Sequence, residues 1–180
     1  PREEMLRVSI GTVDQMKRFI QAYRNIILRK YAFLDRDGTL IFEPQDTYQI
    51  DSIEKLKILD GVIKGLKKLK KLGYEFVMVT NQNGLGTSSF PLVNFQEVQN
   101  KMLSIFEENG IKFKEIFICP DLPTENCDCR KPKPGLLFRA AKDLDIDLGK
   151  SIFLGDKAAD VAAGKAAGPG PDPPAFRTPP

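Results

Sequence analysis

Several polar side chains stand directly after apolar runs, where their types and spacing could support acid–base or metal chemistry. The clearest case is YAFLDRDGTLI, residues 31–41, in which Asp35 and Asp37 follow an apolar run. Side chains alternate along an extended chain, so both carboxylates point the same way from the end of a buried strand. At about 4 Å and an effective dielectric near 20 they repel each other by on the order of 4 kcal/mol. The pair therefore indicates a bound cation, a retained proton or a solvated turn.

Three further apolar runs end in residues that could contribute to the same chemistry. YEFVMVT ends at Thr80 and is followed by Asn81, residues 115–119 end in a cysteine, and SIFLG precedes Asp156. Continuous apolar runs are typical of strands that are covered on both faces of a sheet. Strand and helix patterns alternate, which predicts a three-layer α/β fold with a parallel sheet and right-handed crossovers. Ligands of such sheets bind beyond the carboxyl ends of the strands.

The helix patterns and their neighbours predict how the chain is divided. Residues 12–27, 61–72, 94–108 and 135–143 are predicted helices, the first opened by a Thr12–Gln15 capping box and the third capped by Asn94 with Glu97. A short strand is expected at residues 6–10. We expect a strand–helix extension over residues 1–30, a main domain over residues 31–164 and a disordered, Pro-rich tail over residues 165–180.

The composition excludes several classes of function. The net charge of +3 is too small to indicate nucleic-acid binding. No apolar run approaches the length of a membrane span, and the first residues show no signal-peptide pattern. We therefore expect a cytoplasmic protein that binds neither nucleic acid nor membranes. The chain has no histidine, which excludes histidine-based triads and metal cages. Its three cysteines lie in one short segment, which indicates metal binding rather than a disulfide framework.

Four segments together resemble a known family. DRDGTL, VTNQ, RKPKPG and GDKAAD occur in the order of the four motifs of the haloacid-dehalogenase phosphatase superfamily, between about Tyr31 and Asp160. The resemblance implies a Rossmann-like fold and Mg²⁺-dependent hydrolysis of a small-molecule phosphate ester through an aspartyl-phosphate. After GDKAAD the Pro-rich sequence stands where the family continues into another core strand, so the sheet is expected to lack that strand.

The resemblance also implies roles for the acidic residues. Asp35 matches the nucleophile, and Asp37 matches the acid–base that protonates the leaving alkoxide and then deprotonates the attacking water. Mg²⁺ is implied at Asp35, the backbone carbonyl of Asp37, and Asp156, in keeping with its preference for oxygen ligands. Asp160 is open between two interpretations, a carboxylate near the metal through water and an exposed helix carboxylate.

The phosphate-binding residues follow from the second and third motifs. Thr80 matches the hydroxyl that holds a phosphoryl oxygen, and Asn81 follows it in the same segment. Lys131 matches the lysine that pairs with both the phosphate and the nucleophile, with Lys133 as a nearby competitor.

The cysteine segment narrows the resemblance to one group. CPDLPTENCDCRKP is similar to the zinc loop of histidinol-phosphate phosphatases, with ligands at Cys119, position 121, Cys127 and Cys129. That group has histidine at position 121, where this chain has Asp121. Zinc accepts carboxylate oxygen, so a structural zinc site with three cysteines and one aspartate is expected; the alternative is three reduced thiols without metal.

The expected function is dephosphorylation of L-histidinol phosphate in histidine biosynthesis. The alternatives are a phosphatase for another small sugar or alcohol phosphate, such as a heptose bisphosphate, a DNA 3′-phosphatase, and an inactive remnant that serves as an interaction module. The segment LRVSIGTVDQMKRFIQAY resembles the closing strand and helix of histidinol-phosphate aminotransferases, but it contains neither a cofactor lysine nor a phosphate cup. Bifunctional members of the phosphatase group also carry an imidazoleglycerol-phosphate dehydratase domain, whose histidine-bound metal a histidine-free chain cannot supply.

Overall fold

Four parallel strands form the centre of the structure, a computed structural model that describes residues 11–27 and 29–168. The strands are β1 (Lys30–Leu34), β2 (Tyr74–Asn81), β3 (Phe113–Cys119) and β4 (Ile152–Leu154). The helices are α1 (Val13–Ile27), α2 (Val62–Lys71), α3 (Leu92–Glu108), α4 (Gly135–Leu144) and α5 (Ala158–Ala167). The alternation of strand and helix predicted from the sequence is confirmed.

The strand order, β3-β2-β1-β4, brings the predicted site residues to one edge of the sheet. Leu34 at the end of β1 is in register with Met78 of β2 and with Leu154 of β4. The strand order reverses at β1, and ligands of such sheets bind outside the carboxyl ends at this point. Within the described part of the chain β4 is an edge strand. The segment after residue 168, where a further strand is expected to be missing, lies outside the described residues.

The two faces of the sheet are covered by different helices, which gives the expected three layers. Alternate residues of β1 and β2 pack against α2 and α3 on one face, through Ala32, Leu34, Phe76, Met78, Leu66, Val98, Met102 and Phe106. Their neighbours pack against α4 and α5 on the other face, through Tyr31, Phe33, Val77, Val79, Leu136, Leu137, Ala140 and Ala163. Each fully buried Val, Leu, Phe or Met side chain among these contributes about 1.5–3 kcal/mol to folding. The core thus holds the strand ends rigidly.

Two details of the predicted helices are wrong. α3 begins at Leu92 with Pro91 as its N-cap, and no side chain caps it, so the predicted Asn94 cap is not formed. Pro91 supplies an extended residue that needs no N–H in the first turn, which moves the start toward the N-terminus. The apolar stripe of the predicted helix 61–72 puts Leu72 on the buried face, but Leu72 follows the last turn of α2 and is 64% exposed.

The predicted boundary at residue 164 is also wrong at the level of secondary structure. α5 continues through Ala167, and Gly168 with a φ of 125° follows it. The helix-forming alanines carry the helix past Gly164, whose lack of a side chain lets it approach Phe153 of β4. Residues 169–180 of the predicted tail lie outside the described residues.

The predicted helix of the N-terminal extension is present as α1. Thr12 and Gln15 form the predicted capping box, with reciprocal hydrogen bonds of 3.0 and 3.2 Å between side chain and backbone N–H. The apolar side chains of Met16, Ile20 and Tyr23 on this helix are exposed. The predicted strand at residues 6–10 lies outside the described residues. No helix in the described ranges has the length and apolar character needed to cross a membrane.

Candidate active site

A cleft of about 250 Å³ opens beyond the carboxyl ends of β1 and β2. Among the residues that line it are six polar residues singled out from the sequence, Asp35, Asp37, Thr80, Asn81, Lys131 and Asp160. The structure therefore brings residues from all four sequence motifs, between positions 35 and 160 of the chain, to one place. This arrangement argues against the solvated-turn interpretation of the aspartate pair.

Lys131 is the electrostatic centre of the cleft. Its Nζ lies 2.7 Å from Asp35 Oδ1 and 2.6 Å from Asp160 Oδ1, and it donates a third hydrogen bond of 3.0 Å to the carbonyl of Val79. All three charged side chains are at most 7% exposed. Because buried charges must be paired, the lysine compensates two carboxylates that would otherwise repel each other.

The structure decides between the two candidate lysines. The backbone of Lys131 is held by Asn81, whose side chain accepts from the Lys131 N–H and donates to its carbonyl, both at 3.1 Å. Lys133 instead reaches away, to the carbonyl of Asn126 and the carboxylate of Asp128. The Asn81 side chain thus orients the lysine, and Lys131 is the cation that faces the predicted nucleophile.

Asp160 is not an exposed helix carboxylate, so that interpretation is wrong. It is 2% exposed, and its Oδ2 accepts a hydrogen bond of 2.9 Å from the backbone N–H of Lys157 at the start of α5. A Cβ on Gly155 would lie 2.3 Å from the Asp160 Cγ, so only glycine leaves room for this carboxylate. The packing of Asp160 under the β4 end therefore brings a third acid into the cleft region.

One oxygen each of Asp35, Asp156 and Asp160 lies within 4.8 Å of the others. Asp156 is exposed, and its Oδ1 accepts a hydrogen bond of 3.1 Å from Thr39 Oγ1. Gly38, with a φ of 83°, allows this approach, because a Cβ there would stand 2.3 Å from Asp156 Oδ2. Lys131 pairs with two of these three carboxylates, Asp35 and Asp160, so the three acids carry more negative charge than this lysine offsets. The donor set therefore fits Mg²⁺, which prefers oxygen ligands.

Burial changes the pKa of Asp35, the predicted nucleophile. Desolvation raises the pKa of Asp35 from 3.8 to about 6; Lys131 opposes the rise and Asp160 adds to it. Between these two pH values the folded protein keeps a proton that the unfolded chain has lost. The free energy of unfolding of metal-free protein should therefore decrease as the pH rises through this window.

Urea unfolding at a series of pH values, with a chelator present, measures this effect. The Asp35→Asn variant cannot titrate at position 35, so its free energy of unfolding should lack this component of the decrease. The difference between the two profiles gives the contribution of the Asp35 carboxyl group to the free energy of unfolding, because all other titrating groups are shared. Parallel profiles from pH 3.8 to 6 would contradict the raised pKa of Asp35.

Asp37 is held at both oxygens. Arg36 Nη1 donates to Oδ1 at 2.7 Å, and Gln82 Nε2 donates to Oδ2 at 2.5 Å. Gln82 Nε2 also donates to Thr80 Oγ1 at 2.9 Å, which leaves the Thr80 hydroxyl hydrogen available for another acceptor. Arg36 and Gln82 stand inside the motifs DRDGTL and VTNQ, but their residue types and spacing predict no role for them.

A further contact that was not predicted from the sequence lies at the rim of the cleft. Lys157 Nζ lies 2.7 Å from Glu43 Oε1, and Glu43 is 8% exposed. Desolvation lowers the pKa of Lys157, but the hydrogen bond to Glu43 and the nearby carboxylate charges together raise it above its usual value. The ion pair ties the loop after β1 to the start of α5. No sequence signal marks it, because the partners are 114 residues apart.

The cysteine segment forms a second cluster. The sulfur atoms of Cys119, Cys127 and Cys129 lie 2.7–3.4 Å apart, and Asp121 Oδ2 lies 3.6 Å from the Cys129 sulfur. All four residues can offer ligand atoms within 4.8 Å of one another. Burial raises the pKa of the Cys119 and Cys129 thiols. The four predicted ligands are therefore brought together, and the donor set fits zinc.

The cluster is connected to the cleft through the residue between Cys129 and Lys131. Arg130 Nη1 donates to the carbonyl of Asp121 at 3.2 Å and to Asn83 Oδ1 at 2.5 Å, and Arg130 lines the cleft. The segment that carries the cysteines thus also carries the cleft lysine.

Comparisons with known proteins agree with this geometry. Residues 2–168 match the family described as haloacid dehalogenase-like hydrolase. The histidine biosynthesis bifunctional protein HisB of Actinobacillus pleuropneumoniae serotype 3 is 54% identical over 129 residues, which are 72% of this chain and 36% of that protein. The protein of the same name from Campylobacter jejuni subsp. doylei is 50% identical over 133 residues, 74% of this chain and 38% of that protein. The chain thus spans less than two fifths of the length of these curated relatives.

A solved structure shares the fold. The D,D-heptose 1,7-bisphosphate phosphatase from B. bronchiseptica, complexed with magnesium and phosphate, superposes with a TM-score of 0.71 at 30% identity. The match covers 78% of this chain and 77% of that one. Because the family match spans nearly all of the described residues, and the motif residues converge in one cleft, the chain belongs to the haloacid dehalogenase-like hydrolases.

Proposed function

We propose that the chain is a Mg²⁺-dependent phosphomonoesterase that hydrolyses L-histidinol phosphate. The observation that carries the reaction class is the contact of Lys131 with Asp35 and Asp160, beside Thr80 in an open cleft. The substrate rests on the motif and loop resemblance and on relatives at 50–54% identity that are named for histidine biosynthesis. We also infer a cytoplasmic location, which the three free cysteines and a biosynthetic substrate support.

The proposed chemistry has two steps. An Asp35 oxygen attacks phosphorus in line, and the bond to the leaving oxygen breaks as Asp37 gives that oxygen its proton. Water then attacks the phosphorus of the aspartyl-phosphate, Asp37 takes the proton of that water, and inorganic phosphate leaves with Asp35 restored. Each step exchanges one P–O bond for another, so no further reactant is needed.

The surrounding residues provide the binding. Lys131 would hold both a phosphoryl oxygen and Asp35, and the free Thr80 hydroxyl hydrogen would be donated to a second phosphoryl oxygen. Asp35, Asp156 and the Asp37 carbonyl would hold Mg²⁺, with Asp160 nearby. When bound, Mg²⁺ would offset the negative charge that a phosphate ester brings to these carboxylates.

A substrate panel tests the proposal. Phosphate release with Mg²⁺ should be faster from L-histidinol phosphate than from a heptose bisphosphate, a sugar phosphate or a 3′-phosphorylated DNA oligonucleotide. Faster turnover of the heptose bisphosphate would favour the alternative, which the 30% identical solved structure supports. A folded preparation that releases phosphate from none of them would support the inactive-remnant alternative.

We also propose a structural zinc ion at Cys119, Asp121, Cys127 and Cys129. Purified protein should contain about one zinc per chain by elemental analysis. Asp121→Asn should weaken zinc binding by at least about 10–100-fold, measured by competition with a chromophoric chelator, because the fourth ligand is lost. Asp121→His should strengthen it.

Asp128 provides the matched control for this experiment. It lies in the same loop, its side chain is 98% exposed, and it contacts Lys133 rather than the cluster. Asp128→Asn should therefore leave the zinc affinity unchanged. Equal effects of the two asparagine substitutions, or zinc-free protein with an unchanged melting temperature, would contradict the proposed site.

A further inference from the structure

The carboxyl group of Asp37 is clamped from two sides. Arg36 reaches Oδ1 from the buried side, and Gln82 reaches Oδ2 from the cleft. Each oxygen receives one hydrogen bond, and a carboxylate oxygen has room for another. The clamp therefore fixes the plane of the carboxyl group without occupying all of its lone pairs.

Arg36 is unusual for a buried cation. It is 0% exposed, and its Nε and Nη2 atoms have no hydrogen-bond partner among the described residues. Its guanidinium group lies 4.9 Å from the centre of the Phe95 ring. Buried donors without partners oppose folding. Among the described residues, Arg36 forms its ion pair with Asp37. We therefore expect the guanidinium group to hold the Asp37 carboxylate in position.

Gln82 connects the same carboxyl group to the phosphate side of the cleft. Its Nε2 contacts both Asp37 Oδ2 and Thr80 Oγ1, so one amide group sets the position of both. Gln82 is 4% exposed and its backbone N–H donates to the carbonyl of Cys119 at 2.7 Å, which anchors it at the strand ends. An oxygen of Asp37 is thereby held next to the hydroxyl that would contact the phosphoryl group.

We propose that Arg36 and Gln82 are positioning residues that aim Asp37 Oδ2 at the leaving-group oxygen of the substrate. The inference deepens the proposed phosphatase function and rests on it. Asp37 gives its proton to the alkoxide as the P–O bond breaks, and this transfer requires the oxygen to point at the leaving group. Arg36 holds Oδ1 in place, so that Oδ2 is the oxygen that carries the transferred proton.

The test compares substrates whose leaving groups differ in their need for a proton. An alkoxide leaves poorly without protonation, whereas 4-nitrophenolate leaves well. The quantity to measure is kcat/KM for Arg36→Met and Gln82→Met. The alkyl ester is L-histidinol phosphate or glycerol 2-phosphate, whichever the wild type hydrolyses faster, and the aryl ester is 4-nitrophenyl phosphate. The alkyl ester should lose about 10²-fold or more, and the aryl ester only a few-fold. Arg36→Lys, which keeps a cation beside Oδ1, should recover part of the loss.

Gln99→Met is the matched control. Gln99 is likewise a buried glutamine, but it lies on α3 and donates to the sulfur of Met78, so both substrates should keep their rates. Equal losses for alkyl and aryl esters in the Asp37-clamp variants, or no loss, would overturn the inference. If Arg36→Met does not fold, the loss of kcat/KM for the alkyl ester is compared with the loss for the aryl ester in Arg36→Lys and Gln82→Met instead. Wild-type protein that hydrolyses neither alkyl ester overturns both the inference and the proposed function, whereas hydrolysis of glycerol 2-phosphate alone overturns only the assigned substrate.

Discussion

Asp35→Asn is expected to abolish phosphate release while the fold is retained. Asparagine has the same shape as aspartate but cannot form the aspartyl-phosphate, so the two-step route is lost. Removal of a nucleophile that acts together with its neighbours lowers kcat by on the order of 10⁴-fold or more. The measurement is phosphate release with saturating Mg²⁺ and the substrate that the wild type prefers.

Two observations make this variant informative. The Asp35 backbone N–H donates to the Leu154 carbonyl at 2.9 Å, and this bond between β1 and the end of β4 does not depend on the side chain. The variant should therefore keep the far-ultraviolet circular dichroism spectrum of the wild type. Substantial turnover by folded Asp35→Asn would show that another group attacks phosphorus.

Lys131→Met is expected to reduce both activity and stability, and the loss of stability should depend on Mg²⁺. The variant leaves the carboxylates of Asp35 and Asp160 buried without their cation. Breaking a buried pair in this way costs about 3–5 kcal/mol, and loss of the charge that faces the phosphoryl group lowers kcat by about 10²–10³-fold.

Added Mg²⁺ should offset part of the lost stability, because it binds the folded carboxylates and supplies positive charge beside them. The rise in melting temperature caused by Mg²⁺ should thus be larger in Lys131→Met than in the wild type. Lys133→Met is the matched control, since Lys133 pairs with an exposed carboxylate and its loss should change stability by less than about 0.5 kcal/mol. Equal effects of the two methionine substitutions would contradict the central position of Lys131.

The fold was largely predictable because its signals are local. Apolar runs such as residues 31–34 and 74–80 predict buried strands by their composition, and the stripe through Val98 and Met102 predicts a helix by its spacing. Helix ends were less predictable. Pro91 displaced the expected cap of α3, and α5 continued into a segment interpreted as tail, because small changes in local free energy decide where a helix ends.

The sequence by itself determined the residue types at the strand ends and their order. These residues identify the family and the class of chemistry. Only the tertiary structure decided which lysine faces Asp35, that Asp160 is buried beside it, and that Asp37 is clamped by Arg36 and Gln82. Gln82 and Asp37 are 45 residues apart, and Thr39 and Asp156 are 117 apart. Contacts of this kind depend on how whole strands and helices pack, and no local spacing in the chain records them.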